Sequence, residues 1–414
     1  CSTDMIRAIY LVGGAVRDEL LGLQHTENDW VVTGCTPDEL LAEGYRQVGA
    51  SFPVFLHPET GEEYALARTE RKHGHGYHGF TVDFHPGVTL EEDLARRDLT
   101  INAMARDSHG QLIDPFGGQR DLQDRVLRHV SAAFREDPLR VLRVARFAAR
   151  FAPLGFRVHA DTLRLMREIS ASGELEHLVP ERSWAEIAGA MAAAEPGQFV
   201  QVLRDCGALR VLLPEVDRLF GVPQPKEFHP EIDTAVHVMM AMNLAARSGA
   251  SPRAIFALLL HDIGKGLTPK PEWPQHLGHE VSGVPLVEAA CERLRTPKAF
   301  RELALSVCRL HLRAHRLGEM RPASVMRLIE EAGLLRSPGL LPDFLAACEA
   351  DYRGRQGREE RSYKQAERLR VALAAALAVQ ARDLDTAELE GVQIGEKLRE
   401  ARIAAIADSA GPAG

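Results

Sequence analysis

No stretch of this sequence can span a bilayer. Its longest uninterrupted apolar runs, residues 371–379 and 254–260, fall far short of the roughly 20 residues a spanning helix needs. Nothing near the N-terminus has the pattern of a secretory signal; Met5 reads as the natural start, with residues 1–4 an upstream remnant. Cysteine is scarce: six residues, at positions 1, 35, 206, 291, 308 and 348, with no Cys-x-x-Cys pair. That argues against a disulfide framework and predicts buried or incidental thiols in a reducing compartment. The cytoplasm is therefore the expected location, with no membrane partner. Net positive charge is also missing. The formal charge is −8, so any contact with nucleic acid must come from a local stripe of arginines rather than a generally basic surface. Such a chain would bind RNA with modest, salt-sensitive affinity. Aromatics make up only 6%, and there is neither an internal repeat nor a low-complexity tract.

What is there suffices for ordinary cores. A chain of 414 residues, 45% of them hydrophobic, predicts two or three domains. Residues 5–135 carry β-type runs at 9–12, 30–33, 46–50, 54–57, 64–68 and 111–114 with short helices between them. This predicts a small α/β head around a mixed or mostly antiparallel sheet. The segment 70–86 is polar and glycine-rich; it contains His73, His75 and His78, but Gly74, Gly76 and Gly79 predict a mobile loop rather than a metal cluster. Asp114-Pro115-Phe116-Gly117-Gly118 reads as a turn closing the head. From residue 136 onward the pattern is helical almost throughout, with a proline-rich break at 223–230 as the second boundary. The expected fold is α+β: a head of residues 5–135, a helical neck and body of 136–225, and a second helical region of 226–410.

The apolar run Ile9-Tyr10-Leu11-Val12 ends at Gly13-Gly14, and residues 15–21 read as a short helix stopped by Gly22. Paired glycines between strand and helix let backbone N–H groups approach a phosphate. Glu27 and Asp29 lead into the next strand, and their spacing of two puts both carboxylates on one face of an extended chain. Such a pair can hold two Mg²⁺ ions for in-line phosphoryl or nucleotidyl transfer. Together with Arg96-Arg97-Asp98-Leu99-Thr100-Ile101-Asn102-Ala103, this string resembles the polymerase-β nucleotidyltransferase superfamily, and within it the class II tRNA nucleotidyltransferases and bacterial poly(A) polymerases. The resemblance implies Glu27 and Asp29 as catalytic Mg²⁺ ligands, Glu27 standing where the family usually has Asp. It also implies Glu63 as a third carboxylate, and Gly14, Arg17 and Arg97 as nucleotide contacts. Glu136-Asp137-Pro138-Leu139-Arg140 resembles the family's base-reading motif. A carboxylate and a guanidinium complement the amine donor and ring-nitrogen acceptor that cytosine and adenine share, and mismatch guanine and uracil. Asp137 is expected to accept from the amine and Arg140 to donate to the ring nitrogen. Arg140, Arg143, Arg146 and Arg150 follow at spacings of three, three and four, which is one helix face.

His261-Asp262 follows the apolar run 254–260 and precedes Ile263-Gly264-Lys265; this string resembles an HD phosphohydrolase domain. The resemblance implies His237, His261, Asp262 and Asp351 as ligands, His279 and His311 as a possible second site, and His276 and His315 as bystanders. Imidazole and carboxylate donors suit a divalent cation such as Ni²⁺, Mn²⁺ or Mg²⁺ that activates water. A class II head and an HD domain in one chain are similar to the gammaproteobacterial type of CCA-adding enzyme, from Met5 to about Ala405. What this implies is template-free addition of C, C and A to tRNA from CTP and ATP, with phosphatase, 2′-nucleotidase and 2′,3′-cyclic phosphodiesterase activity in the HD domain, by a monomer or homodimer. The alternatives are a poly(A) polymerase, an A-adding or CC-adding half-enzyme, and an HD phosphohydrolase with a tRNA-binding head. The acidic charge and His261-Asp262 argue against the first, and Glu27 with Asp29 against the last.

Overall fold

The computed structural model describes residues 7–25, 27–48, 54–72, 80–385 and 390–409. The chain forms two compact units, one of residues 1–186 and 201–212, the other of 187–200 and 213–414. Each is built by its own logic.

The first unit is organised by a mixed seven-stranded sheet. In chain order its strands are β1 (Ala8–Val12), β2 (Asp29–Thr33), β3 (Arg46–Val48), β4 (Val54–Leu56) and β5 (Glu63–Leu66), with β8 (Ala105–Arg106) and β9 (Leu112–Ile113) added later. They lie in the order β3-β4-β5-β2-β1-β8-β9. The pairing of β2 with β5 is parallel, with Asp29 opposite Glu63, and β2 runs antiparallel to β1. Because β2 is central, successive residues serve opposite faces: Val31 packs with Val12, Leu94 and Ala105, and Val32 with Leu40, Phe55 and Leu66. Burial on both sides is why this strand reads as a continuous apolar run rather than an alternating one. Each buried valine contributes about 1.5–3 kcal/mol over its exposed state.

Between β1 and β2 the helix Gly14–Leu20 forms and ends as expected: Gly22 takes φ +68° and donates its N–H to the Glu19 carbonyl at 3.0 Å. The segment 70–86 corrects the expectation of a loop. Thr69–Lys72 (β6) pairs antiparallel with Phe80–Asp83 (β7). These strands are too polar to show an apolar alternation, and the glycines that suggested a loop fall between them. His73, His75 and His78 lie outside the described residues. Asp114 closes the head by accepting from the N–H groups of Gly118 and Gln119 at 2.7 and 2.9 Å, which caps the helix Gly118–Gln123. The amphipathic helix Arg140–Phe151 follows, burying Val141, Val144, Ala145 and Ala148.

The second unit is helical. Thr234–Arg247, Pro252–Leu260, His279–Arg293, Lys298–His315 and Leu341–Arg353 pack on one another. Pro252–Leu260 is buried from Ala254 through Leu260, as its unbroken apolar sequence requires, and Ser251 caps its start by accepting from the Ala254 N–H at 3.2 Å. Among the described residues no helix is long and apolar enough to cross a membrane. The five described cysteines are free and buried. Burial pushes the Cys308 thiol up to about 12 and Cys291 to about 11, so neither is a nucleophile near neutrality.

Candidate active sites

In the first unit, β1 delivers Gly13 at φ +70°. A Cβ there would lie 2.7 Å from Arg97 Nη1 and 3.9 Å from Asp29 Oδ2. The bare glycine is where the arginine of one motif and the carboxylate of another meet. Gly13→Ala adds strain of about 1–3 kcal/mol and pushes Arg97 aside. It should lower the melting temperature by several degrees. Calorimetry checks this, and an unchanged melting temperature would contradict the packing described here.

A cavity of about 820 Å³ opens over this point. Gly14, Arg17, Glu27, Asp29, Arg97, Asp137, Arg140, Arg143 and Arg146, all singled out in the sequence, line it. Their roles in its wall differ. Arg17 is buried: Nε donates to Asp18 at 2.8 Å, Nη1 to Asn102 Oδ1 at 2.6 Å, and the guanidinium lies about 5 Å from the Phe147 and Phe151 rings. Asn102 in turn donates to Asp98 at 2.9 Å, and Arg143 Nε reaches the same carboxylate at 2.8 Å. Burial opposes the Asp98 charge, but Arg143 and the hydrogen bonds prevail and hold its carboxyl at about 2. Arg146 donates to Glu186 at 2.5 Å, and Arg150 pairs with Asp18 at 2.8 Å. The helix face of arginines is therefore held upright by three separate carboxylates, a positive wall suited to a triphosphate.

Asp137 and Arg140, expected from the sequence to read the base, are each held by protein partners at the cavity wall. Arg140 donates to the carbonyls of Ala133 and Arg96 at 2.7 and 2.5 Å, while Asp137 accepts from Arg182 Nη2 at 2.9 Å and from the Leu139 N–H at 3.1 Å. Arg182 and Glu186 carried no signal in a lone sequence. They sit in an ordinary helix, Pro180–Met191, whose approach to Asp137 only the fold reveals.

Glu27 and Asp29 also border a smaller recess of about 340 Å³ with Glu62 and Glu63. Glu62 accepts from Asn28 at 2.7 Å, and Glu63 stands in register with Asp29. Asp29 is exposed, yet partial burial of its carboxyl raises it above its ordinary range; Arg97 opposes that rise and Glu27 adds to it. Clustered hard oxygen donors that repel one another fit a divalent cation such as Mg²⁺.

In the second unit, His237, His261, Asp262, His279, His311 and Asp351 come together from five helices or their ends, all buried. His261 Nε2 lies 3.2 Å from Asp262 Oδ2 and 3.5 Å from Asp351 Oδ1; His237 Nε2 is 2.9 Å from Asp351. His279 and His311 place Nε2 at 3.1 and 3.7 Å from Asp262 Oδ1. Three of these imidazoles share a device. Nδ1 of His261, His279 and His311 lies 2.7–3.1 Å from the carbonyls of Leu258, His276, and Val307 or Cys308. A carbonyl can only accept, so each ring keeps a proton on Nδ1 and turns Nε2 inward. Burial drives His311 down to about 3, so it stays neutral, whereas for His261 the two carboxylates outweigh burial and raise it to about 10. His261 Nε2 and Asp262 Oδ1 are buried without a hydrogen-bond partner. Orphaned donors of this kind, converging from fixed tautomers, fit a metal centre.

His315, expected to be a bystander, lies with Nε2 2.6 Å from Asp351 Oδ2; it follows His311 by one turn on the same face. His276 instead bonds the Pro223 carbonyl at 2.7 Å. Lys265 reaches Asp262 and Gln224, both at 2.6 Å. Glu231, which the sequence reading missed among surface-like glutamates, puts Oε1 3.1 Å from Nδ1 of both His229 and His237.

A nucleotide-sized cavity walled by arginines over an acidic pair, and a buried histidine–aspartate cluster, define a two-centre protein with a nucleotidyltransferase head and an HD domain. Family models agree: residues 9–128 match the poly A polymerase head domain, 155–220 the probable RNA and SrmB-binding site of polymerase A, and 234–410 the HD domain. The chain belongs to the multifunctional CCA protein family. It is 58% identical to the member from Thioalkalivibrio sulfidiphilus and 57% to that from Pseudomonas aeruginosa, in each case over 96% of this chain and 97% of the relative. Among solved structures it resembles the CCA-adding enzyme of Bacillus stearothermophilus in complex with CTP, at 23% identity and TM-score 0.63 over 97% of this chain and 89% of that one. It also resembles the Thermotoga maritima CCA-adding enzyme complexed with tRNA, at 20% and 0.60 over 98% and 91%. At that identity the likeness concerns the fold, and it agrees with the α+β architecture read from the sequence. Both a nucleotidyltransferase head and an HD domain depend on divalent metal.

Proposed function

We propose that the chain adds C, C and A to the 3′ end of tRNA from CTP and ATP without a template, and that its second unit hydrolyses phosphate esters. The observation that carries the first reading is the meeting of Asp29, Arg97 and Gly13 beneath a cavity lined by Asp137 and Arg140. Glu27 and Asp29 would hold Mg²⁺, which when bound lowers the pKa of the attacking 3′-hydroxyl and neutralises the triphosphate. The chain's own residues do the rest. Gly14 and the helix it opens present N–H groups to phosphate, and Arg97, Arg143 and Arg146 grip the triphosphate. Asp137 and Arg140 present an acceptor beside a donor to the base. In this reading residues 5–135 form the catalytic head, 136–225 the selecting neck, and 226–410 the HD and tRNA-binding region.

In the second unit His237, His261, Asp262 and Asp351, with His279 and His311, would hold a divalent ion such as Ni²⁺, Mn²⁺ or Mg²⁺ that supplies a water of lowered pKa. Phosphomonoesters, 2′-nucleotides and 2′,3′-cyclic phosphates are the proposed substrates. Incubating the protein with tRNA lacking its terminal CCA and with each nucleoside triphosphate, singly and together, tests the first reading. Sequencing should show CCA with CTP plus ATP. A run of A alone would favour a poly(A) polymerase, and a single A an A-adding enzyme.

Base selection gives a sharper expectation. Asp137→Ala or Arg140→Ala should relax selection of CTP and ATP over UTP and GTP by about ten- to a hundredfold, the 1–3 kcal/mol of a lost complementary hydrogen bond. Arg182→Ala should act in the same direction but more weakly, because it would act through its contact with Asp137. Competition assays with all four triphosphates read this directly. Unchanged selectivity in Asp137→Ala and Arg140→Ala would remove the pair from base reading.

A further inference from the structure

The helix that ends just after Asp351 runs into Arg353-Gly354-Arg355-Gln356-Gly357-Arg358, a basic turn that the metal-ligand reading leaves without a role. Its placement is tightly fixed. A Cβ on Gly354 would fall 2.5 Å from Ala241 Cα and 2.5 Å from the Ala350 carbonyl, so the turn lies flush against Thr234–Arg247, the helix that carries His237. Arg355 is thereby brought back over the cluster. Its Nε donates to the Asp351 carbonyl at 3.2 Å, its Nη1 to the Phe228 carbonyl at 3.4 Å, and its Nη2 lies 3.7 Å from Asp351 Oδ1. The side chain is only 11% exposed. The neighbouring N–H of Gln356 donates to Glu231 Oε2 at 3.3 Å, and Arg358 donates to the Glu227 carbonyl, so the turn is tied to the segment on its other side as well.

We propose that Arg355 is the phosphate-gripping residue of the histidine–aspartate centre, its Nη2 edge donating to a non-bridging oxygen of the phosphoryl group under attack. Two backbone carbonyls hold the guanidinium by Nε and Nη1, and the remaining nitrogen is presented beside a carboxylate oxygen of the cluster. A planar cation held in this way matches a tetrahedral oxyanion and needs no reorganisation to meet it. In the reaction a water oxygen forms the new P–O bond, the ester oxygen leaves with the electron pair of the bond that breaks and gains a proton, and the charge on the non-bridging oxygens grows against Arg355. The inference rests on the hydrolase reading for the identity of the anion, a phosphate ester.

The test is titration of inorganic phosphate into the Mn²⁺-loaded full chain by calorimetry, alongside Mn²⁺ titration of the chelator-treated chain. Arg355→Gln should weaken phosphate binding at least tenfold. Arg355→Lys should recover part of it, since the charge returns without the planar fork. Mn²⁺ stoichiometry should be unchanged in both, and hydrolysis should lose kcat more than KM. Nucleotide addition should be normal, which reports that the variants are folded. If Arg355 only balances the charge of Asp351, phosphate affinity will match wild type while Mn²⁺ affinity alone moves, and that result overturns the proposal. Weakened phosphate binding in a wild-type background that hydrolyses no ester would uphold the anion subsite while removing the hydrolase reading.

Discussion

Asp29→Ala should abolish nucleotide addition while leaving the protein folded and able to bind tRNA. Asp29 stands at the start of β2, exposed, with Arg97 and Glu27 acting in opposite senses on its charge. Its carboxylate supports no part of the core, so truncating it should shift stability by no more than about 0.5 kcal/mol, as surface substitutions do. Function is another matter. If the acidic pair holds the ions that activate the hydroxyl and neutralise the leaving group, losing one ligand removes several kcal/mol of transition-state stabilisation, and about 4 kcal/mol is a thousandfold in rate. Single-turnover incorporation of labelled CTP into tRNA lacking CCA measures the loss, with thermal unfolding and tRNA filter binding as controls. Glu27→Asp should be tolerated, because it shortens the arm by one methylene at a position free to adjust. Near-normal incorporation by Asp29→Ala would mean that the acidic pair is not the metal site.

The difference between Asp29 and its surroundings also explains what a lone sequence could show. Gly13-Gly14 and Glu27-x-Asp29 were legible because backbone and metal demands act over short spacings: a φ of +70° requires glycine, and one strand face requires alternate residues. The core of the head was legible for a similar reason, with Val31 and Val32 serving opposite faces of a buried strand. The histidine–aspartate cluster was legible in part, since His261-Asp262 follows a buried helix. What escaped were partners whose roles are purely tertiary. Arg182 meets Asp137 across 45 residues, Arg150 meets Asp18 across 132, and Glu231 closes on His237 from a proline-rich segment that reads as a linker. Nothing about an arginine on an amphipathic helix announces which carboxylate will hold it. His315 was placed among the bystanders, and only the fold shows its Nε2 at 2.6 Å from Asp351 Oδ2. The β6–β7 pair escaped for a different reason: polar strands have no apolar alternation to detect.

The second large effect concerns Asp262. Substituting it should eliminate hydrolysis of 2′,3′-cyclic AMP and of a chromogenic phosphate ester and leave CCA addition intact. Asp262 is closely contacted within the cluster: His261, His279 and Lys265 lie at 3.2, 3.1 and 2.6 Å, and His311 stands at 3.7 Å. An incomplete ligand set cannot activate water. The choice of variant matters. Asp262→Ala leaves Lys265, 7% exposed, beside histidines with no opposing charge, and breaking a buried pair in this way costs about 3–5 kcal/mol. Asp262→Asn keeps the shape and a hydrogen-bonding oxygen for Lys265 while losing the negative ligand, so it separates catalysis from folding more cleanly. Both variants should hydrolyse nothing, and Asp262→Asn should melt closer to wild type. No residue of the head cavity belongs to the unit that contains Asp262, and each centre has its own donor chemistry: oxygen alone around Asp29, imidazole and carboxylate around Asp262. Restoring chelator-treated protein with Ni²⁺, Mn²⁺ or Mg²⁺ should therefore give different metal preferences for the two activities, since hard oxygen sites favour Mg²⁺ and imidazole sites favour the later transition ions. Loss of nucleotide addition in a folded Asp262→Asn protein, or identical metal profiles for both reactions, would mean one shared centre.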